Sequence, residues 1–231
     1  MLQTSRAALL KYSPMNLEIL NDIPPLTPDS KIETAQLLLN ELTFSHLPVV
    51  ENEIYLGSLS EYDVRSFEKN ALVGEFRIDY ENFFVREGVN ELEVLETIGK
   101  YETNMMPVLS QEEGKYLGYV ELQEVMDVFS DMPFLGEYGN IIVVQKGIND
   151  HSFSEISQIV ETNNTKVLSI YISKIERDIV ETTIKMGDGD LNAIIQTFRR
   201  YGYEIISDHY DDALLMNLKE RSRYLDKYLN M

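Results

Sequence analysis

Pro48-Val49-Val50, followed by Tyr55-Leu56-Gly57-Ser58-Leu59-Ser60-Glu61-Tyr62-Asp63, is answered later in the chain by Pro107-Val108-Leu109, followed by Tyr116-Leu117-Gly118-Tyr119-Val120-Glu121-Leu122-Gln123-Glu124. The two prolines lie 59 residues apart and the two glycines 61. Self-similarity at a fixed interval marks a repeated structural unit. A helical pattern precedes each copy: Ile32, Ala35, Leu38 and Leu39 before the first, and Leu92, Leu95 and Ile98 before the second. Both stripes have the spacing of a half-buried helix. Asp29 and Ser30, after Pro28, are candidate N-caps for the first. Each copy therefore reads as extended segment, helix, strand, turn, strand, helix. The expected strands are Leu47 to Val50, Ile54 to Leu59, Met106 to Leu109 and Tyr116 to Val120, with closing helices from Glu61 and Gln123. A period of about 60 residues exceeds that of solenoid repeats, so two copies point to a pseudo-symmetric pair that shares its apolar faces.

The 231-residue length allows one large or two small domains. With 44% hydrophobic and 26% charged residues, the chain has the composition of a globular protein with a sizeable core. The 39 acidic residues outnumber the 20 basic ones, for a net charge of -19. Such a surface repels nucleic-acid phosphates and anionic membranes. There are no cysteines, which removes disulfides, thiolate metal sites and a cysteine nucleophile, and suits a cytoplasmic location. No apolar run reaches the ~18 residues of a membrane span. Residues 1–14 hold Arg6, Lys11 and the short run Ala7 to Leu10, with no acid. They read as a flexible N-terminal extension, with a targeting segment as the alternative and Met15 as a second candidate start.

The order helix, "HLPVV", "YLGSLSEYD", helix, then helix, "MMPVL", "YLGYVELQE", helix resembles a tandem pair of CBS domains. The resemblance covers about residues 15–132, with the first repeat near 17–67 and the second near 78–132. It implies a regulatory module that binds an adenine nucleotide, of the AMP, ATP or S-adenosylmethionine type, between the repeats. It also implies assembly into a disc-like homodimer. By the resemblance, Ser60 meets phosphate, Asp63 meets the ribose hydroxyls, and the backbone of Leu47 and Pro48 faces adenine. His46 and Arg65 stand within reach of a phosphate. From the residues alone, Ser-x-x-Asp at a helix start is equally an N-cap arrangement. His46 reads equally as a partly buried, satisfied histidine, and Arg65 as part of a solvated helix face. The second copy departs, with Glu121 and Glu124 at the positions of Ser60 and Asp63 and an added charge where phosphate would lie. Pro25 stands where many CBS domains place a threonine. The expectation is at most one nucleotide per chain, in the first-repeat site.

Pro133, Gly136 and Gly139 punctuate the chain after the second copy. Strands are expected at Asn140 to Lys146, Lys166 to Ser173, Ile179 to Met186 and Tyr203 to Ser207. Helices are expected over Ser152 to Thr162, with Ser152 and Glu155 in a capping-box pattern, and from Leu191 to Gly202. Strand, helix, strand, strand, helix, strand is the ferredoxin-like arrangement. Over residues 139–210 it resembles an ACT domain. The loop Ile148-Asn149-Asp150-His151 lacks the glycine of amino-acid-binding members. Residues 211–231 read as a final helix. The whole fold class is thus α+β: a tandem CBS pair, an ACT-type βαββαβ domain and a last helix. The combination resembles the acetoin-utilisation B-type regulatory proteins.

The three histidines, His46, His151 and His209, form no catalytic or metal-binding motif. Asp208-His209-Tyr210-Asp211-Asp212 reads as a solvated acidic end, and Asp188 and Asp190 as turn residues. No cofactor, metal or enzyme activity is expected beyond the nucleotide. Two functions remain: a cytosolic, nucleotide-sensing regulator acting through dimer or partner contacts, or a ligand-independent dimeric scaffold with decayed sites.

Overall fold

The structure is a computed structural model that describes residues 17–207. The expected N-terminal extension, the C-terminal helix, His209 and the 208–212 acidic run lie outside the described residues. The chain divides into two compact units, with the division between Ser130 and Asp131.

The first unit runs α1 (Ile32–Glu41), β1 (His46–Glu51), β2 (Ile54–Ser60), α2 (Glu61–Ser66), a 3₁₀ segment (Val73–Asp79), β3 (Val85–Arg86), α3 (Glu91–Tyr101), β4 (Met105–Leu109), β5 (Tyr116–Glu121) and α4 (Leu122–Asp131). This is the repeated order expected from the sequence. β1 and β2 form a hairpin whose turn, Asn52-Glu53, has both residues left-handed, as a two-residue connection between twisted strands requires. β4 and β5 pair in the same sense. The bulge recurs too: the register slips between Val49 and Val50 in one hairpin and between Val108 and Leu109 in the other.

The extended lead segment of each repeat bridges both hairpins. Leu26 pairs in parallel with Val49 of its own repeat, as Val85 does with Val108. A few residues earlier each lead segment reaches across. Leu20 exchanges two backbone hydrogen bonds with Tyr119, of 2.8 and 2.9 Å, and Glu81 exchanges two with Ser58, each 2.8 Å. The crossing is possible because the residues beside Ser58 and Tyr119 are glycines. Gly57 and Gly118 sit at φ +143° and +142°, a region closed to other residues. A Cβ on Gly57 would lie 2.8 Å from the Tyr80 Cβ, and one on Gly118 would strike the Leu20 carbonyl. The two repeats therefore share one core. Met105 and Tyr119 of the second are buried together with Ile32, Ala35, Leu39, Leu47, Leu59 and Val64 of the first.

Local details correct the sequence reading. Neither Asp29 nor Ser30 caps α1; its N-cap is Lys31 without a side-chain bond, and Ser30 Oγ accepts the Thr27 N–H instead. In α3 the inward positions are Val94 and Ile98, while Leu92 is 63% exposed. The stripe has i, i+4 spacing and begins two residues later than Leu92 suggested.

The second unit runs α5 (Pro133–Gly136), β6 (Asn140–Gly147), α6 (Phe153–Thr162), β7 (Val167–Glu176), β8 (Ile179–Met186), α7 (Leu191–Arg200) and β9 (Glu204–Ile205). Its sheet order is β7-β8-β6-β9, antiparallel throughout. Ile142 and Val144 of β6 and Ile184 and Met186 of β8 are buried with Ile156 and Ile159 of α6 and Ile194 and Phe198 of α7. This is the split β-α-β arrangement. Alternation along β7 is broken because the register slips between Val167 and Ser169 and again between Ile172 and Lys174. Leu168 is the inserted residue, so Val167 and Ile170 both pack on the core. Ser152 accepts the Glu155 N–H as a cap, but the Glu155 carboxylate bonds Lys146 Nζ at 2.7 Å rather than closing the capping box.

Gly57→Ala should lower stability by about 2 kcal/mol or more through positive-φ strain and the Tyr80 clash. Gly99→Ala, in α3 with open space at its Cβ, should raise it by up to about 1 kcal/mol. Thermal unfolding of the two variants checks both signs.

Candidate functional site

The site forms where the first hairpin opens onto the end of α3. His46 begins β1 and Ser60 ends β2, and the two are register partners. Glu61 and Tyr62 follow in the first turn of α2. The lead segment of the second repeat lays Glu81 beside Ser58. Lys100, Tyr101 and Glu102 bring in the C-terminal end of α3. With Ser45, these residues enclose a cleft of about 520 Å³.

His46 is only 6% exposed. Its Nδ1 lies 2.9 Å from Ser45 Oγ and its Nε2 3.4 Å from Glu81 Oε1. Its ring meets the Phe83 ring edge-on at 5.1 Å, and Phe83 in turn stacks on Tyr101 at 5.0 Å. Burial lowers the His46 pKa, and the Glu81 carboxylate offsets this only in part. The imidazole is therefore neutral at pH 7. Ser45 also ties the repeats together. Its N–H donates to Asn104 Oδ1 at 2.9 Å, and the Asn104 N–H donates to Ser45 Oγ at 3.1 Å. The two residues hold equivalent places before β1 and β4, so this bond pair follows the pseudo-symmetry.

Ser60 caps α2. Its Oγ accepts the Asp63 N–H at 3.1 Å and donates to Asp63 Oδ2 at 2.6 Å. Of the six residues singled out from the sequence, His46 and Ser60 line the cleft. Asp63 stands half-buried one turn along α2, bonded to Ser60. Leu47 is buried in the shared core. Pro48 is buried within β1, and its carbonyl accepts the Leu26 N–H at 2.9 Å. Arg65 is exposed, donating to Glu61 at 2.7 Å and to Asn40 at 3.3 Å. Sequence reasoning did not single out Ser45, Tyr62, Glu81, Lys100, Tyr101 and Glu102. The repeat itself held one signal, since Glu81 sits where Leu20 sits in the first lead segment.

The second repeat carries different side chains at the matching crossing. Tyr119 is buried, meets the Phe44 ring edge-on at 5.4 Å, and donates its hydroxyl to Asp22 Oδ1 at 2.8 Å. In the second unit, His151 Nε2 lies 2.8 Å from Thr182 Oγ1, and Asp190 caps α7 through the Ala193 N–H. Lys146 lies over the Tyr203 ring at 4.2 Å, so the polar groups here are committed to structure. Among the described residues no three metal-binding side chains gather, and no helix is long and apolar enough to cross a membrane.

Residues 18–70 match the CBS domain family. No curated protein matches the chain. Solved structures similar to it include a CBS domain pair/ACT domain protein from Thermotoga maritima, at 17% identity, covering 48% of this chain and 91% of that one, with a TM-score of 0.43. The CBS domains of a transcriptional regulator from Streptococcus pneumoniae match at 17% identity, 45% and 86% coverage, and a TM-score of 0.40. CBSX2 in complex with AMP matches at 18% identity, 49% and 91% coverage, and a TM-score of 0.41.

Because His46 titrates below the unfolded value of about 6.5, its contribution to stability is complete above that pH. It is lost as pH falls from about 6.5 toward the folded value, since the unfolded chain takes up the proton first. An NMR titration of the imidazole should give a midpoint below 6.5, lower still in Glu81→Gln.

Proposed function

We propose that the first unit is a tandem CBS pair acting as a regulatory sensor, and that its first-repeat cleft binds one adenosine-type ligand per chain. The cleft itself carries this reading. It lies at the start of β1 and the end of β2, within the stretch that matches the CBS domain family. The exposed Tyr62 ring in its lining offers a flat surface for a base. Asp63, on the first turn of the adjoining helix, can accept from two vicinal ribose hydroxyls once Ser60 rotates away. In the second repeat Glu121 and Glu124 stand at the positions of Ser60 and Asp63, which supports a single site. The second unit serves as an ACT-type domain, and the signal passes through a homodimer or a protein partner. Binding shifts the chain between states to the extent that the ligand prefers one of them.

A ligand-independent scaffold is the competing reading. It draws on Ser60 and Asp63, whose polar atoms already satisfy each other. Calorimetry with adenosine, AMP, ATP and S-adenosylmethionine separates the two. The sensor reading predicts one site per chain, with affinity for the ligand that binds falling at least tenfold in Asp63→Ala. Two equal sites, or no heat with any of the four, contradicts it.

A further inference from the structure

We propose that the first-repeat cleft selects an adenosine-type ligand with positive charge or none and turns away phosphorylated ones. This rests on the reading above that the cleft binds such a ligand. Three independent features point the same way.

The first is the charge of the walls. Glu61, Glu81 and Glu102 line the cleft, and Lys100 is the one cation among its lining residues. A second hollow of about 390 Å³ shares Lys100 and Tyr101 with it and adds Glu93 and Glu96, with no further cation. A ligand reaching through both would meet five carboxylates, of which Glu61 is already paired with Arg65, and a single ammonium.

The second is the fate of nearby positive charge. A phosphate is held by a bidentate guanidinium or an ammonium. The Arg65 guanidinium is engaged by Glu61 and Asn40 on the outer side of α2. Lys100 lies over the Tyr101 ring at 5.2 Å.

The third is the supply of neutral donors. The Glu61 N–H donates to the Ser45 carbonyl at 2.7 Å, and the Asp63 N–H donates to Ser60 Oγ. The Ser60 hydroxyl hydrogen points to Asp63 Oδ2. These three donors are thus spent within the protein, and the first turn of α2 carries two carboxylates, Glu61 and Asp63. A sulfonium or ammonium finds the opposite situation: carboxylates around it and the exposed face of Tyr62, 84% accessible, at the mouth.

The test is calorimetry of the full chain with three probes that share adenosine: adenosine itself, AMP, and S-adenosylmethionine, whose sulfonium and ammonium outweigh its carboxylate. The expected order is S-adenosylmethionine at least tenfold tighter than AMP, with adenosine between them. Raised salt should weaken the first and not the last. Glu102→Gln, an exposed change that leaves the core untouched, should narrow the gap several-fold, and Glu81→Gln should do the same. AMP binding as tightly as S-adenosylmethionine, or a gap unmoved by Glu102→Gln, overturns the proposal while leaving an adenosine site in place. No binding of any probe overturns the adenosine reading itself.

Discussion

The first unit depends on the passage of each repeat's lead segment across the other repeat's hairpin. Backbone exchange between Leu20 and Tyr119, and between Glu81 and Ser58, needs a residue without a side chain beside each crossing. Gly57 and Gly118 meet that need, and their positive φ angles close them to other residues. Neither hairpin is complete alone, because a two-stranded hairpin is marginal in water. The crossing gives each one a third strand contact and merges two small apolar faces into one core. Without it, Tyr119 and Met105 would lose their place among the first repeat's side chains.

The same crossing creates the cleft. It carries Glu81 to His46 and sets Phe83 between His46 and Tyr101. The walls therefore come from both repeats, and a ligand there would touch both. The Ser45–Asn104 pair adds a polar bond set at the same junction. The second repeat has the same backbone with different side chains. Tyr119 stands where Ser58 does and bonds Asp22, and Glu121 and Glu124 replace the hydroxyl and the shorter acid.

The sequence disclosed the repeat because glycine and proline obey strict backbone rules, and those rules recur at matched positions. Strand limits followed to within one residue in both hairpins, since apolar runs bounded by turns carry their own period. The faces of β7 were not legible because a bulge inserts Leu168 without changing composition. The caps of α1 were misread because Ser30 turned to a nearer donor at Thr27. Ser60 and His46 were visible as residue types at a helix start and a strand start. Glu81, Lys100 and Tyr101 were not, for they approach the cleft from elements whose placement depends on the crossing. Net charge showed repulsion of polyanions in general, but the local balance of carboxylate and cation at the cleft emerges only once Arg65 is seen turned toward Glu61 and Asn40.

The most direct measurement follows the histidine ring signals of the full chain while adenosine is added to saturation. Three imidazoles report separately: His46 at the cleft, His151 in the second unit and His209 near the C-terminus. His46 should shift and His151 should stay in place, as a site at the first-repeat cleft requires. Movement of His151 with His46 unmoved, or no movement of any ring, would contradict it.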